Sequence, residues 1–231
     1  MAPSLLPSSV CWAAWACWLQ LMLATAADVE RETCPPMLCG NVSITTPFGI
    51  VPDQATTSSC GLVGFQVVCT NNAPYLGSFQ GKYGFQILDI FYHNGSLIIA
   101  DVHKLWDLNS SHDCHAPTNN STTKLGYPFS ISLLNQNLIF YRCTTTPAAG
   151  EALVETRCGN GTFVRAAESS DEPGSYGSYS LQGCDATVVP VLPRHGAANA
   201  SRYLELISDG FLLTWQLPSF PPLPAPPPSS D

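Results

Sequence analysis

Short runs of apolar, β-branched and aromatic residues, separated by turn-forming residues, run through the middle of the chain. We predict strands at 64–69, 83–92, 96–101, 137–143, 162–167 and 186–192. Most of these runs are bounded by Gly, Pro, Asn or Ser, the residues that favour turns. Asn94-Gly95 lies between two of them and predicts a hairpin turn, because both residues tolerate positive φ. The pattern is that of a mainly β protein.

A helical pattern is found at 201–208. Its apolar residues would fall on one face, and they are Tyr203, Leu206 and Ile207. Gly210 can end this helix. Charged residues make up only 11% of the chain and prolines number 20, which suits short strands and turns better than long helices. We therefore expect a mainly β fold made of two small disulfide-rich β modules with one short helix.

The start of the chain predicts an export signal. An uncharged, mostly apolar run at 10–23 is followed by small residues at 24–27, as before a signal-peptidase cleavage site. The run is shorter than the roughly 20 residues that a bilayer span needs. We predict a signal peptide at 1–27, whose removal takes two of the ten cysteines with it.

Eight cysteines then remain, an even number that fits a closed set of disulfides in an oxidising compartment. They are Cys34, Cys39, Cys60, Cys69, Cys114, Cys143, Cys158 and Cys184. The sequence does not fix their pairing, but we favour Cys60 with Cys69, which would close a short loop around one strand. A zinc site is the alternative around Cys114, with histidines at 103, 112 and 115. No C-x-x-C pair accompanies them, so we expect no metal.

Asn-x-Ser/Thr triplets predict a glycoprotein. The acceptors are Asn41, Asn94, Asn109, Asn119, Asn120, Asn160 and Asn199. Because Asn119 and Asn120 overlap, we expect only one of these two to carry glycan.

The polar segment 116–123 separates two cysteine-containing halves, so we predict modules at 34–115 and 124–217. In the following segment, 218–231, seven of fourteen residues are proline, which predicts an extended, disordered tail. Nothing after residue 24 is long and apolar enough to span a membrane. We expect a secreted protein of the cell exterior.

Signatures of catalysis are missing from the sequence. It has no phosphate-binding loop, no G-x-S-x-G and no H-E-x-x-H. Two pairs of acids, Asp101 with Asp107 and Asp171 with Glu172, could in principle serve a glycosidase. In a chain of net charge −8 they fit ordinary surface acids better. We assign no catalytic residue and expect no enzyme.

The first half contains a signature centred on cysteines. Its parts are Cys39-Gly40-Asn41-Val42-x-Ile44, Pro47-Phe48-Gly49-Ile50, Cys60-Gly61, Gly64-Phe65 and Cys69. This signature resembles the galacturonan-binding module of plant wall-associated receptor kinases.

The second half resembles the companion cysteine-rich module of those kinases. Its parts are Asn137-Leu138-x-Phe140-Tyr141-x-Cys143, Cys158, Gly183-Cys184 and Gly210-Phe211-x-Leu213-x-Trp215. The resemblance is strongest to the leaf-rust-resistance type of receptor-like kinase, in which both modules precede a membrane span and a Ser/Thr kinase. Here the sequence runs into prolines instead, so we expect an ectodomain without its kinase. A longer form would lie on the outer face of the plasma membrane.

The resemblance implies binding of cell-wall pectin or oligogalacturonides, with no nucleic acid and no cofactor. Galacturonan is a polyanion, whereas this chain has seventeen acids and nine Lys or Arg, so its mean field is repulsive. Binding then needs a basic patch, a calcium bridge to the ligand, or sugar stacking on aromatic rings. The basic and aromatic neighbours are Tyr75, Lys82, Tyr83, Lys104 and Trp106. These residues could instead be an aromatic core with snorkelling lysines.

A second function stays open. The chain could be a secreted partner or decoy that binds proteins or peptides, among them a membrane receptor, without binding sugar.

Overall fold

The structure, a computed structural model, describes residues 33–217 apart from 53–54, 56–57, 59, 78–83, 110–113, 122–124, 146, 148–151, 160 and 168–178. The signal peptide predicted at 1–27 and the tail predicted at 218–231 lie outside the described residues. The same holds for His112, Asn160 and the acid pair Asp171 and Glu172. All described residues belong to one compact unit.

Strands dominate the described residues, as the sequence predicted. The strands are β1 (Met37–Cys39), β2 (Val42–Ile44), β3 (Gly49–Ile50), β4 (Gln66–Thr70), β5 (Ala73–Leu76), β6 (Phe85–Phe91), β7 (Ser96–Ala100), β8 (Phe129–Ile131), β9 (Gln136–Cys143), β10 (Val154–Glu155), β11 (Thr162–Ala166), β12 (Cys184–Val191) and β13 (Phe211–Trp215). The helices are α1 (Val102–Asn109), a 3-10 turn (Ala200–Arg202) and α2 (Tyr203–Asp209). None of the helices in the described ranges is long and apolar enough to cross a membrane.

The larger sheet has seven strands in the order β3-β4-β5-β6-β7-β13-β8. One face packs on an aromatic core around Phe48, which is fully buried. The Phe48 ring meets those of Phe65 and Trp215 edge-on, with centroids 5.1 and 5.2 Å apart. Trp215 comes from β13, so this sheet takes strands from both predicted modules. The division into 34–115 and 124–217 stays a prediction about sequence modules.

The second sheet has four strands in the order β10-β11-β9-β12, and both of its faces are covered. Its central strand β9 has four consecutive buried residues, 138–141. Leu138 and Phe140 face the two helices, whereas Ile139 and Tyr141 pack with Tyr179 on the opposite side. A strand buried on both faces loses the polar alternation of a surface strand.

Helix α2 confirms the predicted helix. The residues predicted to share a face, Tyr203, Leu206 and Ile207, are all buried against the second sheet. Gly210 ends the helix with φ 80°, and a Cβ there would lie 2.3 Å from the Ile99 carbonyl oxygen.

Helix α1 was not predicted, and the expectation of one helix is therefore wrong for the described residues. The sequence predicts a strand over 96–101, whereas the observed strand β7 ends at Ala100. Asp101 instead begins a helix, because its carboxylate accepts a hydrogen bond from the Lys104 N–H at 3.5 Å. The missed signal was an N-cap Asp followed by Leu105 and Leu108, which pack on the second core.

A hairpin joins β6 and β7, and its turn contains the predicted Asn94-Gly95. Phe91 pairs with Ser96, so the loop has four residues. Gly95 has φ 62°, whereas Asn94 is not among the residues with positive φ. The two-residue turn with positive φ throughout is Asn71-Asn72, at 52° and 60°, between β4 and β5.

All eight predicted cysteines form disulfides, and the expected Cys60–Cys69 pair is wrong. The pairs are Cys34–Cys60, Cys39–Cys69, Cys114–Cys158 and Cys143–Cys184. Cys69 packs against the first core with Cys39, whereas Cys60 lies in a loop beside Gly49. Cys114 is bonded to Cys158, so it has no thiolate to offer zinc. No group of three potential metal-binding side chains occurs in the described part of the chain.

Candidate functional site

Three side chains lie in a row on the face of the larger sheet that points away from its core. Val68 pairs with Tyr75 across β4 and β5, and Tyr75 pairs with Gln86 across β5 and β6. Directly paired residues of antiparallel strands share one face. The neighbouring pair Leu76 and Phe85 belongs to the buried core on the opposite face. We call Val68, Tyr75 and Gln86 the outer row.

All members of the outer row are partly exposed. The row therefore offers an aromatic ring, an apolar side chain and an amide that can both donate and accept hydrogen bonds. A phenol ring beside an amide is suited to a polyhydroxylated ligand, because the ring covers apolar C–H groups and the amide meets hydroxyls.

Two of the predicted sugar-binding residues, Lys82 and Tyr83, lie outside the described residues. In the sequence both come between Tyr75 and Gln86. Three of the five predicted residues thus belong to one stretch of chain that includes the outer row.

The other two predicted residues, Lys104 and Trp106, are on helix α1. Lys104 is buried, whereas Trp106 is exposed. The Lys104 side chain is 4% exposed, and its Nζ lies 2.9 Å from Oδ2 of Asp101, which is 1% exposed. Ser121 adds a hydroxyl 3.5 Å from the same carboxylate oxygen. The Lys104 ammonium therefore faces a carboxylate of its own chain, whereas Trp106 is 72% exposed.

Tyr92 holds the loop after β2 against the hairpin of β6 and β7. Its Oη donates to the Ser43 carbonyl at 2.8 Å and accepts from the Thr45 N–H at 2.9 Å. Burial raises the pKa of Tyr92 above its usual value, while the Thr45 hydrogen bond opposes this shift. The phenol is thus a structural clamp between segments that are distant in sequence.

The predicted glycosylation acceptors in the described ranges are mostly exposed, namely Asn41, Asn94, Asn109, Asn119 and Asn199. Asn120 differs, because it is partly buried and its Oδ1 accepts from the Val188 N–H at 2.8 Å. Val188 lies on β12, at the edge of the four-stranded sheet. Asn120 therefore satisfies an edge-strand donor, a role that the sequence did not reveal.

A second exposed surface was also missed from the sequence. Val63 and Tyr127 are 94% and 73% exposed. Their loops touch, because a Cβ on Gly64 would lie 2.8 Å from Cδ of Pro128. We call Val63 and Tyr127 the apolar loop pair. An isolated exposed Val or Tyr gives little sequence signal, since single apolar residues are common on surfaces.

A comparison with family models matches residues 34–101 to the family described as wall-associated receptor kinase galacturonan-binding. The matched segment runs from the Cys34–Cys60 disulfide through β7 and includes the whole outer row. No curated protein and no solved structure matches the chain. The companion cysteine-rich module of the second half stays a prediction. Residues 34–101 are therefore similar to the wall-associated receptor kinase galacturonan-binding family.

Proposed function

We propose that this chain is a non-catalytic carbohydrate-binding protein of the cell exterior, which binds pectic galacturonan on the outer row of residues 34–101. The family match carries the proposal, because it covers the segment that displays this row. The partly exposed Tyr75 ring would stack on the apolar face of a sugar, and Gln86 would hydrogen-bond ring hydroxyls. The predicted export signal and the exposed glycosylation triplets support a place outside the cell.

Calorimetric titration with galacturonan oligomers, with and without calcium, tests this function. Binding in at least one condition supports it, and no binding in either refutes it. Tyr75→Ala should weaken binding by about tenfold, which corresponds to about 1.4 kcal/mol. Gln86→Ala should weaken it as well, and it spares the aromatic ring if Tyr75→Ala disturbs folding.

Tyr127→Ala is the matched control. It also removes an exposed tyrosine ring, but Tyr127 lies outside the matched segment. Its galacturonan affinity should equal that of the unaltered protein. Each variant is compared by thermal melting, so that a loss of binding can be separated from a loss of fold. An equal loss with Tyr127→Ala would refute the assignment to the outer row.

Protein or peptide binding without sugar binding is the second candidate, and the apolar loop pair favours it. Two touching loops expose Val63 and Tyr127, and exposed aromatic residues are typical of protein interfaces. This function predicts capture of a receptor or wall protein that pectinase treatment leaves unchanged. Tyr127→Ser should abolish that capture, whereas Tyr75→Ala should not. Capture that pectinase removes would favour the sugar-binding function instead.

A further inference from the structure

The solvent-facing side of helix α1 combines an indole ring with a glycosylation acceptor. The exposed residues of this helix are Trp106 and Asn109. Because they are three residues apart, they are neighbours on one helix face, with Cβ atoms about 5–6 Å apart. Asn109 is the first residue of an Asn-x-Ser triplet, which is the acceptor signal for an N-linked glycan. An aromatic ring and a predicted sugar attachment point therefore share one small surface.

Helix α1 reverses the usual distribution of side chains on an amphipathic helix. Such a helix normally turns its largest apolar residues to the core and its lysines to water. Here Lys104 is buried, because Asp101 lies 2.9 Å from its ammonium, and Trp106 is on the solvent side. Leu105 and Leu108 make the contact of the helix with the second core. The apolar face of α1 is thus formed without the indole, which is left to contact a group outside the packed chain.

A glycan on Asn109 would extend over Trp106. Helical side chains lean toward the N-terminus of their helix, so the group that a residue carries covers the preceding turn. Trp106 lies in that turn. The first sugar is linked directly to the Asn109 amide nitrogen, so it is the part of the glycan nearest to the ring. A sugar presents C–H groups on its faces, and the electron-rich face of an indole attracts them.

We propose that Asn109 carries an N-linked glycan whose first N-acetylglucosamine covers the indole of Trp106. This contact buries apolar surface that the fold leaves in water, and it holds the glycan against α1. The inference does not rest on galacturonan binding. It gives Trp106, which the sequence predicted as a pectin-binding residue, a sugar of its own chain as its partner.

Tryptophan fluorescence tests this contact. After removal of the predicted signal peptide the tryptophans are Trp106 and Trp215, and Trp215 is 9% exposed in the first core. Quenching by acrylamide therefore reports mainly on Trp106. The protein is secreted from cells that keep glycans in the high-mannose form, and peptide mass spectrometry should find a glycan on Asn109. Asn109→Gln should raise the quenching constant about twofold, because one of the two faces of the ring is uncovered.

Enzymatic trimming to a single N-acetylglucosamine on each acceptor should leave the quenching constant nearly unchanged. Ser111→Ala removes the triplet but keeps the Asn109 side chain, so it should match Asn109→Gln. Asn41→Gln is the control, because it removes a predicted glycan from the turn between β1 and β2 and should not alter quenching. In a Trp106→Phe background, Asn109→Gln should have no effect.

An Asn109 without glycan overturns the inference, and so does an unchanged quenching constant in Asn109→Gln. An effect that persists in the Trp106→Phe background would place the change at Trp215 and overturn it as well. Strong quenching of the trimmed protein would overturn the assignment to the first sugar. Trp106→Ala should leave galacturonan affinity unchanged, whereas a loss of about tenfold would mean that the ring contacts pectin instead.

Discussion

Lys104→Met should destabilise the fold strongly and leave galacturonan binding intact. The ammonium is 2.9 Å from the Asp101 carboxylate, and the two side chains are 4% and 1% exposed. Removing the cation leaves the Asp101 carboxylate buried without its ammonium, beside the Ser121 hydroxyl at 3.5 Å and the N–H of residue 104 in the helix that it caps. Breaking one partner of a buried pair costs about 3–5 kcal/mol. We expect the free energy of unfolding to fall by that amount.

Urea unfolding of the disulfide-intact protein, followed by tryptophan fluorescence, measures this loss. Arg142→Met is the control, because the Arg142–Asp185 pair is 60% and 79% exposed. An exposed pair contributes less than about 1 kcal/mol. The double variant Asp101→Asn, Lys104→Met removes both charges and keeps an N-cap residue, so it should recover much of the lost stability.

The same variants decide the role of Lys104 in binding. A small stability change in Lys104→Met together with a large loss of galacturonan affinity would refute the reasoning. It would mean that the ammonium contacts ligand rather than Asp101, as the sequence-based prediction had it.

Three further predictions use the same unfolding measurement. Tyr92→Phe should cost about 1–2 kcal/mol, because it removes a hydroxyl that makes two hydrogen bonds. Since the folded state raises the pKa of Tyr92, its contribution is complete below about pH 10 and is lost as the pH rises through the folded pKa, so the two proteins should converge in alkali. Gly210→Ala should destabilise far more than Gly77→Ala, because both have positive φ but a Cβ meets atoms only at Gly210; equal losses would contradict the packing argument. Asn119→Gln should remove the mass of one glycan without changing stability, which mass spectrometry of the intact chain checks. Asn120→Ala should cost about 1–3 kcal/mol, because the Val188 N–H loses the side-chain oxygen that accepts its hydrogen bond.

Local sequence signals predicted the elements that local chemistry determines. Helix α2 has an apolar face and a terminating glycine, and both signals lie within ten residues of each other. The pairing of Cys60 was wrong because it depends on how distant segments pack, which no local pattern contains. Helix α1 was missed because its first residues continue the apolar run of β7 and its N-cap, Asp101, looked like the end of a strand.

In the candidate site, too, the sequence predicts what depends on neighbouring residues and misses what depends on the packing of distant segments. Tyr75 could be chosen from the sequence as an aromatic residue close to a lysine. That Val68 and Gln86 flank it could not, because their contact depends on the register of β4, β5 and β6. Burial of Lys104 was equally hidden, since Ser121, which lies beside its partner Asp101, comes from a segment seventeen residues after the lysine.

The order of strands in the larger sheet has a consequence for inheritance. β13 follows the matched segment by more than a hundred residues, yet it hydrogen-bonds along β7 and brings Trp215 to the rings of Phe48 and Phe65. A gene rearrangement that carried codons 34–101 alone into another protein would transfer a sheet with an open edge and a core without its indole. The segment can therefore be passed between genes as a functional unit only together with its late strand, or into a host that supplies a substitute.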